Sequence, residues 1–103
     1  MSDPGNVQYL AEEAVRLLAV GEHEIKHRLL CAYTQKLQYI FPTDVPPDLE
    51  PLLQSIRQRL FKEPRYESQS TVESALYRMH RKTAVAIARD IVELHHALRS
   101  RVL

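Results

Sequence analysis

Prolines and glycines divide this 103-residue chain into segments in which apolar residues recur at helical spacing. No segment alternates apolar and polar residues for long, and no Asn-Gly or Asp-Gly turn is present, so strands are not expected. The pattern predicts an all-α protein, a mainly antiparallel four-helix bundle. At this length, residues 1–103 are expected to form one helical domain around one core.

The first two helices are expected to form a tight hairpin. Helix one begins within residues 3–6 and ends at Gly21, because glycine tolerates the left-handed conformation that follows a helix. Helix two begins at Glu22 and runs to Phe41, where Pro42 stops it. The predicted buried residues are Val7, Leu10, Ala11, Ala14, Leu17 and Leu18 in helix one and Ile25, Leu29, Leu30, Tyr33, Leu37 and Ile40 in helix two.

A proline-rich linker, residues 42–47, leads into helix three. Asp48 is the expected N-cap, since that assignment places Pro51 in the first turn, where its missing N–H costs nothing. The helix is expected to end before Pro64. Its predicted buried residues are Leu49, Leu52, Leu53, Ile56 and Leu60.

A capping box at Ser70 and Glu73 predicts the start of helix four, which continues to about Arg101. About 30 residues at about 1.5 Å each make this helix longer than its partners. It therefore either protrudes or is kinked or split near residues 79–83. The predicted buried residues are Leu76, Met79, Ile87, Ile91, Leu94 and Leu98.

Composition excludes a membrane span, because the longest apolar run is the five residues 84–88. The start Met1–Pro4 lacks the basic and apolar regions of a secretion signal, and Cys31 is the only cysteine. A reducing, cytoplasmic location is expected. Ten arginines against four lysines are typical of a GC-rich, bacterial genome.

The two halves of the chain carry opposite charge. Residues 1–50 hold four basic and eight acidic side chains, and residues 51–103 hold ten and five. Such halves can pair within the bundle, pair between subunits, or leave a basic face for an anionic partner. Together with the long last helix, this charge pattern favours a homodimer that acts through protein–protein contacts or regulation rather than catalysis.

One stretch matches the H-E-x-x-H pattern of zinc peptidases, with His23, Glu24 and His27 in the required positions. A third ligand and an open coordination position would complete such a site. Cys31 extends the two histidines into a ladder at i, i+4 and i+8 that could bind a soft divalent metal ion. Metal binding, or metal-dependent hydrolysis, is therefore an alternative function. No phosphate loop or dinucleotide fingerprint predicts a cofactor, and no catalytic residue is assigned.

Two E-x-x-H steps, Glu24 to His27 and Glu93 to His96, are spaced as in di-iron helical bundles. At 100° per residue, however, both steps fall on the side of their helix opposite the apolar stripe. A metal pair inside one bundle is therefore disfavoured. His80 falls within the apolar stripe of helix four and is expected at the edge of the core or at a kink.

A basic cluster formed by Arg78, Arg81 and Lys82 gives the second alternative, a nucleic-acid-binding regulator. Basic residues around the end of helix three, Arg57, Arg59, Lys62 and Arg65, would enlarge this patch. No recognition-helix signature or aromatic stacking motif accompanies the cluster. A solvated helix face is the simpler interpretation.

Overall fold

The described part of the chain forms five α-helices, with three short 3₁₀ turns between the second and the third. The computed structural model describes residues 4–20, 24–61 and 70–100. The helices are α1 (Pro4–Val20), α2 (Ile25–Gln35), α3 (Glu50–Arg59), α4 (Thr71–Arg78) and α5 (Arg81–Ser100). No strand occurs in these ranges, which confirms the all-α prediction.

The α1–α2 pair packs as an antiparallel hairpin. The predicted stripe of α1 is buried or packed against the core, with Ala11 and Ala14 completely inaccessible. Arg28, in the first turns of α2, donates from Nη1 to the carbonyl oxygen of Leu18 at 2.8 Å, joining the end of one helix to the start of the next. The expected boundaries at Gly21 and Glu22 lie outside the described residues.

The second helix ends six residues earlier than the sequence predicted, at Gln35 instead of Phe41. A 3₁₀ turn, Leu37–Tyr39, follows, and Ile40 is extended. Two effects account for the difference. A residue that precedes proline favours extended backbone, which excludes Phe41 from the helix. The tighter turn also keeps both Leu37 and Ile40 buried, as the sequence predicted.

The proline-rich linker forms two further 3₁₀ turns, Pro42–Asp44 and Pro47–Leu49. The second turn leads directly into α3, so Leu49 and not Asp48 occupies the N-cap. The Leu49 N–H donates to the carbonyl of Pro46 at 2.9 Å. This hydrogen bond extends the 3₁₀ turn to Leu49, so α3 begins one residue later than an N-cap at Asp48 would place it. Pro51 lies in the first turn of α3, as predicted.

The last segment is split, not continuous. Met79 is extended, with φ −84° and ψ 143°, and separates α4 from α5 within the window in which a kink or split was expected. The capping box is confirmed: the Glu73 N–H donates to Ser70 Oγ at 3.1 Å. His80 lies in the break between α4 and α5, which is one of the two placements expected for it, and it is exposed instead of lying within the apolar stripe.

The core is organised around α5, which packs against α1, α2 and α3. Ile87, Ile91 and Leu94 are completely inaccessible to solvent. Where α5 contacts α3, Arg59 of α3 pairs with Asp90 of α5. Of the helices that the structure describes, none is long and apolar enough to cross a bilayer.

Replacing Ser70 with alanine is expected to lower the free energy of unfolding by about 1 kcal/mol, because the first turn of α4 loses its side-chain acceptor. Chemical denaturation measures the change. Ser70→Thr keeps the hydroxyl and serves as the matched control, with a smaller loss expected. Equal stability of Ser70→Ala and the natural chain would contradict a contribution from the cap.

Candidate functional site

The candidate metal ligands that the structure describes, Glu24, His27 and Cys31, lie at the start and in the first two turns of α2. Glu24 occupies the N-cap and His27 is exposed, whereas Cys31 is half-buried. The structure brings His27 Nε2 within 3.6 Å of Cys31 Sγ. His23 lies outside the described residues. Within the part of the chain that is described, no group of three His, Cys, Asp or Glu side chains is arranged to hold a metal ion.

The second E-x-x-H step lies on α5, and both Glu93 and His96 are exposed. Glu24 and His27 are exposed as well, so the orientation predicted from helical geometry is confirmed for both steps. The two steps therefore face away from the shared core and do not form a carboxylate–histidine cage inside it.

The basic cluster spans the break between α4 and α5. Arg78 lies in the last turn of α4, Arg81 and Lys82 begin α5, and all three side chains are exposed. Of the arginines in α3, Arg59 lines a pocket together with Arg78 and also pairs with Asp90, whereas Arg57 donates to the carbonyl of Ile40. Lys62 and Arg65 lie outside the described residues.

An apolar cleft of about 370 Å³ lies between α1 and α5. Leu18 and Ile25, both buried, form its floor. Val85 and Val92 form one wall and are 39% and 46% exposed, which is unusual for valines this close to a core. Its remaining lining residues are Val15, Ala19, Ala88 and Arg89. A cleft with walls of this kind suits another helix better than a charged ligand.

Charged side chains flank this cleft in two groups of opposite sign. Arg81, Lys82 and Arg89 are exposed on the first half of α5, and none forms an ion pair within the described ranges. Glu93 is exposed on the second half of α5, and Glu12 on the adjacent part of α1; both lack an ion-pair partner there as well.

By contrast, the neighbouring carboxylate of Glu13 is already paired within α1. Arg16 donates to it at 2.8 and 3.1 Å, and this hydrogen bonding lowers the pKa of the Glu13 carboxyl. Because Glu13 is paired with Arg16, Glu12 is the acidic side chain of α1 that remains beside the α1–α5 cleft.

Reasoning from the sequence missed this cleft. Val85 and Val92 are seven residues apart on α5, and Val15 and Ala19 are four residues apart on α1, so each pair shares a helix face. Apolar pairs at the edge of the main stripe were the available signal. Their meeting depends on the packing of α1 against α5, two segments far apart in the sequence.

Comparison with known proteins gives no match: no family model, no characterised protein and no solved structure is significantly similar to this chain. The function is therefore argued from the residues and geometry of this molecule.

Proposed function

We propose that this protein is a self-associating interaction module whose docking surface is the apolar cleft between α1 and α5. The occupant is a second copy of the same chain. The observation that carries the proposal is the pair of exposed valines, Val85 and Val92, in a cleft flanked by charges of both signs that form no ion pair with another described residue. The proposal includes a four-helix bundle, with α4 and α5 counted as one divided helix, and a cytoplasmic location.

The size of the surface favours reversible association. The 20 residues of α5 span about 30 Å, and two neighbouring helices are about 20 Å wide, so the face covers roughly 600 Å². Stable interfaces bury about 800 Å² on each partner. We therefore expect dissociation constants in the micromolar range, the range in which a small regulatory protein responds to its own concentration.

The rival functions have less support. His27 and Cys31 offer two donor atoms on one helix, whereas a structural zinc site uses four ligands. The basic cluster of Arg78, Arg81 and Lys82 continues along α5 only to Arg89, and the exposed Val85 and Val92 interrupt that face. Nucleic-acid-binding surfaces extend such charge over several phosphates.

Val92→Glu is expected to weaken self-association at least about 100-fold, because a two-fold interface would bury the new carboxylate twice. Sedimentation equilibrium across low to high micromolar concentrations measures the dissociation constant. The fold should survive, since Val92 is 46% exposed in the single chain.

Gln54→Glu provides the matched control. Gln54 is exposed on α3, away from the cleft, and gains the same negative charge. This variant should associate like the natural chain. A strict monomer at high micromolar concentration, or a dimer that Val92→Glu leaves unchanged, would overturn the proposal.

A further inference from the structure

We infer that the two copies pair with their α5 helices antiparallel across a two-fold axis near Ala88. This inference rests on the proposed function, because it specifies how a second copy occupies the α1–α5 cleft. In this arrangement each α5 lies over the cleft between α1 and α5 of the other copy. Residue i of one copy then meets residue j of the partner, and j meets i.

The apolar residues match this register. Val85 precedes Ala88 by about 4.5 Å along the helix axis, and Val92 follows it by about 6 Å. An antiparallel pair centred near Ala88 therefore places Val85 against the partner's Val92 at both ends of the contact. The small side chain of Ala88 allows close approach of the two helices at the axis.

The charges match the same register independently. Lys82 lies about 9 Å before Ala88 and Glu93 about 7.5 Å after it, so the antiparallel pair brings each Lys82 to the partner's Glu93.

A parallel arrangement would give the opposite result. In register, it would keep each Lys82 about 16 Å along the helix axis from the partner's Glu93, so neither side chain would meet an opposite charge across the interface. Arg89 lies near the axis in the antiparallel pair, so the two Arg89 side chains approach each other there, and each long aliphatic stem covers apolar surface while its guanidinium reaches the rim, away from its counterpart. The two Lys82–Glu93 contacts, not the charges as a whole, therefore favour the antiparallel pair.

Reciprocal charge reversal tests this register. Lys82→Glu and Glu93→Lys each create two like-charge contacts in their own homodimers, and each is expected to weaken association about tenfold. An equimolar mixture forms a heterodimer in which both contacts are again of opposite charge. Its affinity should return to within about threefold of the natural dimer. Sedimentation equilibrium at low salt provides the measurement.

Lys36→Glu is the matched control, since it reverses a lysine on the C-terminal end of α2 outside the cleft and should not weaken association. Thermal unfolding of each variant at low concentration checks the fold of the single chain. A mixture that associates no better than either variant alone would overturn the register. If Val92→Glu still abolished the dimer, the proposed function would stand; a monomeric natural chain would overturn both.

Disulfide trapping gives a second measurement that does not depend on charge. In a Cys31→Ser background, Val85→Cys and Val92→Cys chains are mixed and oxidised with glutathione disulfide. The antiparallel register predicts a mixed disulfide between the two variants that forms faster than either homodisulfide. Homodisulfides forming at least as fast as the mixed product would contradict the inference.

Discussion

Ile91→Ala is expected to lower the free energy of unfolding by about 2–5 kcal/mol, the largest single loss on α5. Ile91 is completely inaccessible, and its helix contacts α1, α2 and α3, so three neighbouring helices limit how far the core can collapse into the cavity. Chemical denaturation at a concentration where the chain is monomeric measures the loss without a contribution from association.

Val92→Ala is the matched control for this experiment. It truncates the next residue of the same helix, but from the 46% exposed side, and we expect it to cost less than about 1 kcal/mol. Ile91→Val, which removes one methyl group, should cost about 0.5–1.5 kcal/mol. A loss for Ile91→Ala no larger than that for Val92→Ala would contradict the placement of the core.

Helical periodicity predicted most of the buried residues because α1, α3 and α5 are long enough for a stripe to be visible. Ala11, Leu53 and Ile91 lie on such stripes and are fully buried. The stripe is a property of a single helix, and it depends little on neighbouring segments. The outward orientation of Glu24 and Glu93 followed from the same geometry and is confirmed.

Helix boundaries depended on contacts that no local pattern contains. The second helix ends at Gln35 because the 3₁₀ turn after it buries Leu37 and Ile40. His80 is exposed because the backbone of Met79 becomes extended. The end of the second helix and the direction of His80 were both derived from an unbroken helical register. The break moved His80 out of the stripe but left the outward directions of Glu93 and His96 as calculated.

The candidate site was the least predictable part of the molecule. The H-E-x-x-H pattern is a short linear motif and suggested a metal site, but the two of its residues that are described, Glu24 and His27, are exposed. The α1–α5 cleft has no linear motif, since Val15 and Val85 come from opposite ends of the chain. Surfaces built from two distant helices become visible only after the helices are packed.

Arg57→Ala is expected to lower the free energy of unfolding by about 2 kcal/mol, a large effect for a partly exposed arginine. The guanidinium donates from Nη1 to the carbonyl of Ile40 at 2.8 Å and lies 5.6 Å from the ring centroid of Phe41. A hydrogen bond from a charged donor contributes about 1.5–3 kcal/mol, and the cation–π contact about 0.5–1 kcal/mol. Arg57 therefore fixes the turn after α2 to α3, and chemical denaturation measures its contribution.

Two controls separate this anchoring role from a general effect of positive charge. Arg99→Ala removes an exposed arginine from the last turn of α5 and should change stability little. Arg57→Lys keeps the positive charge but loses the planar guanidinium group. Its free energy of unfolding should therefore lie between those of the natural chain and Arg57→Ala. Hydrogen exchange should accelerate at residues 37–44 in Arg57→Ala, because these residues are held against α3 by this side chain. If Arg57→Ala were as stable as Arg99→Ala, the interpretation of Arg57 as an anchor would be wrong. The prediction that Arg57 enlarges the basic cluster would then be the better interpretation.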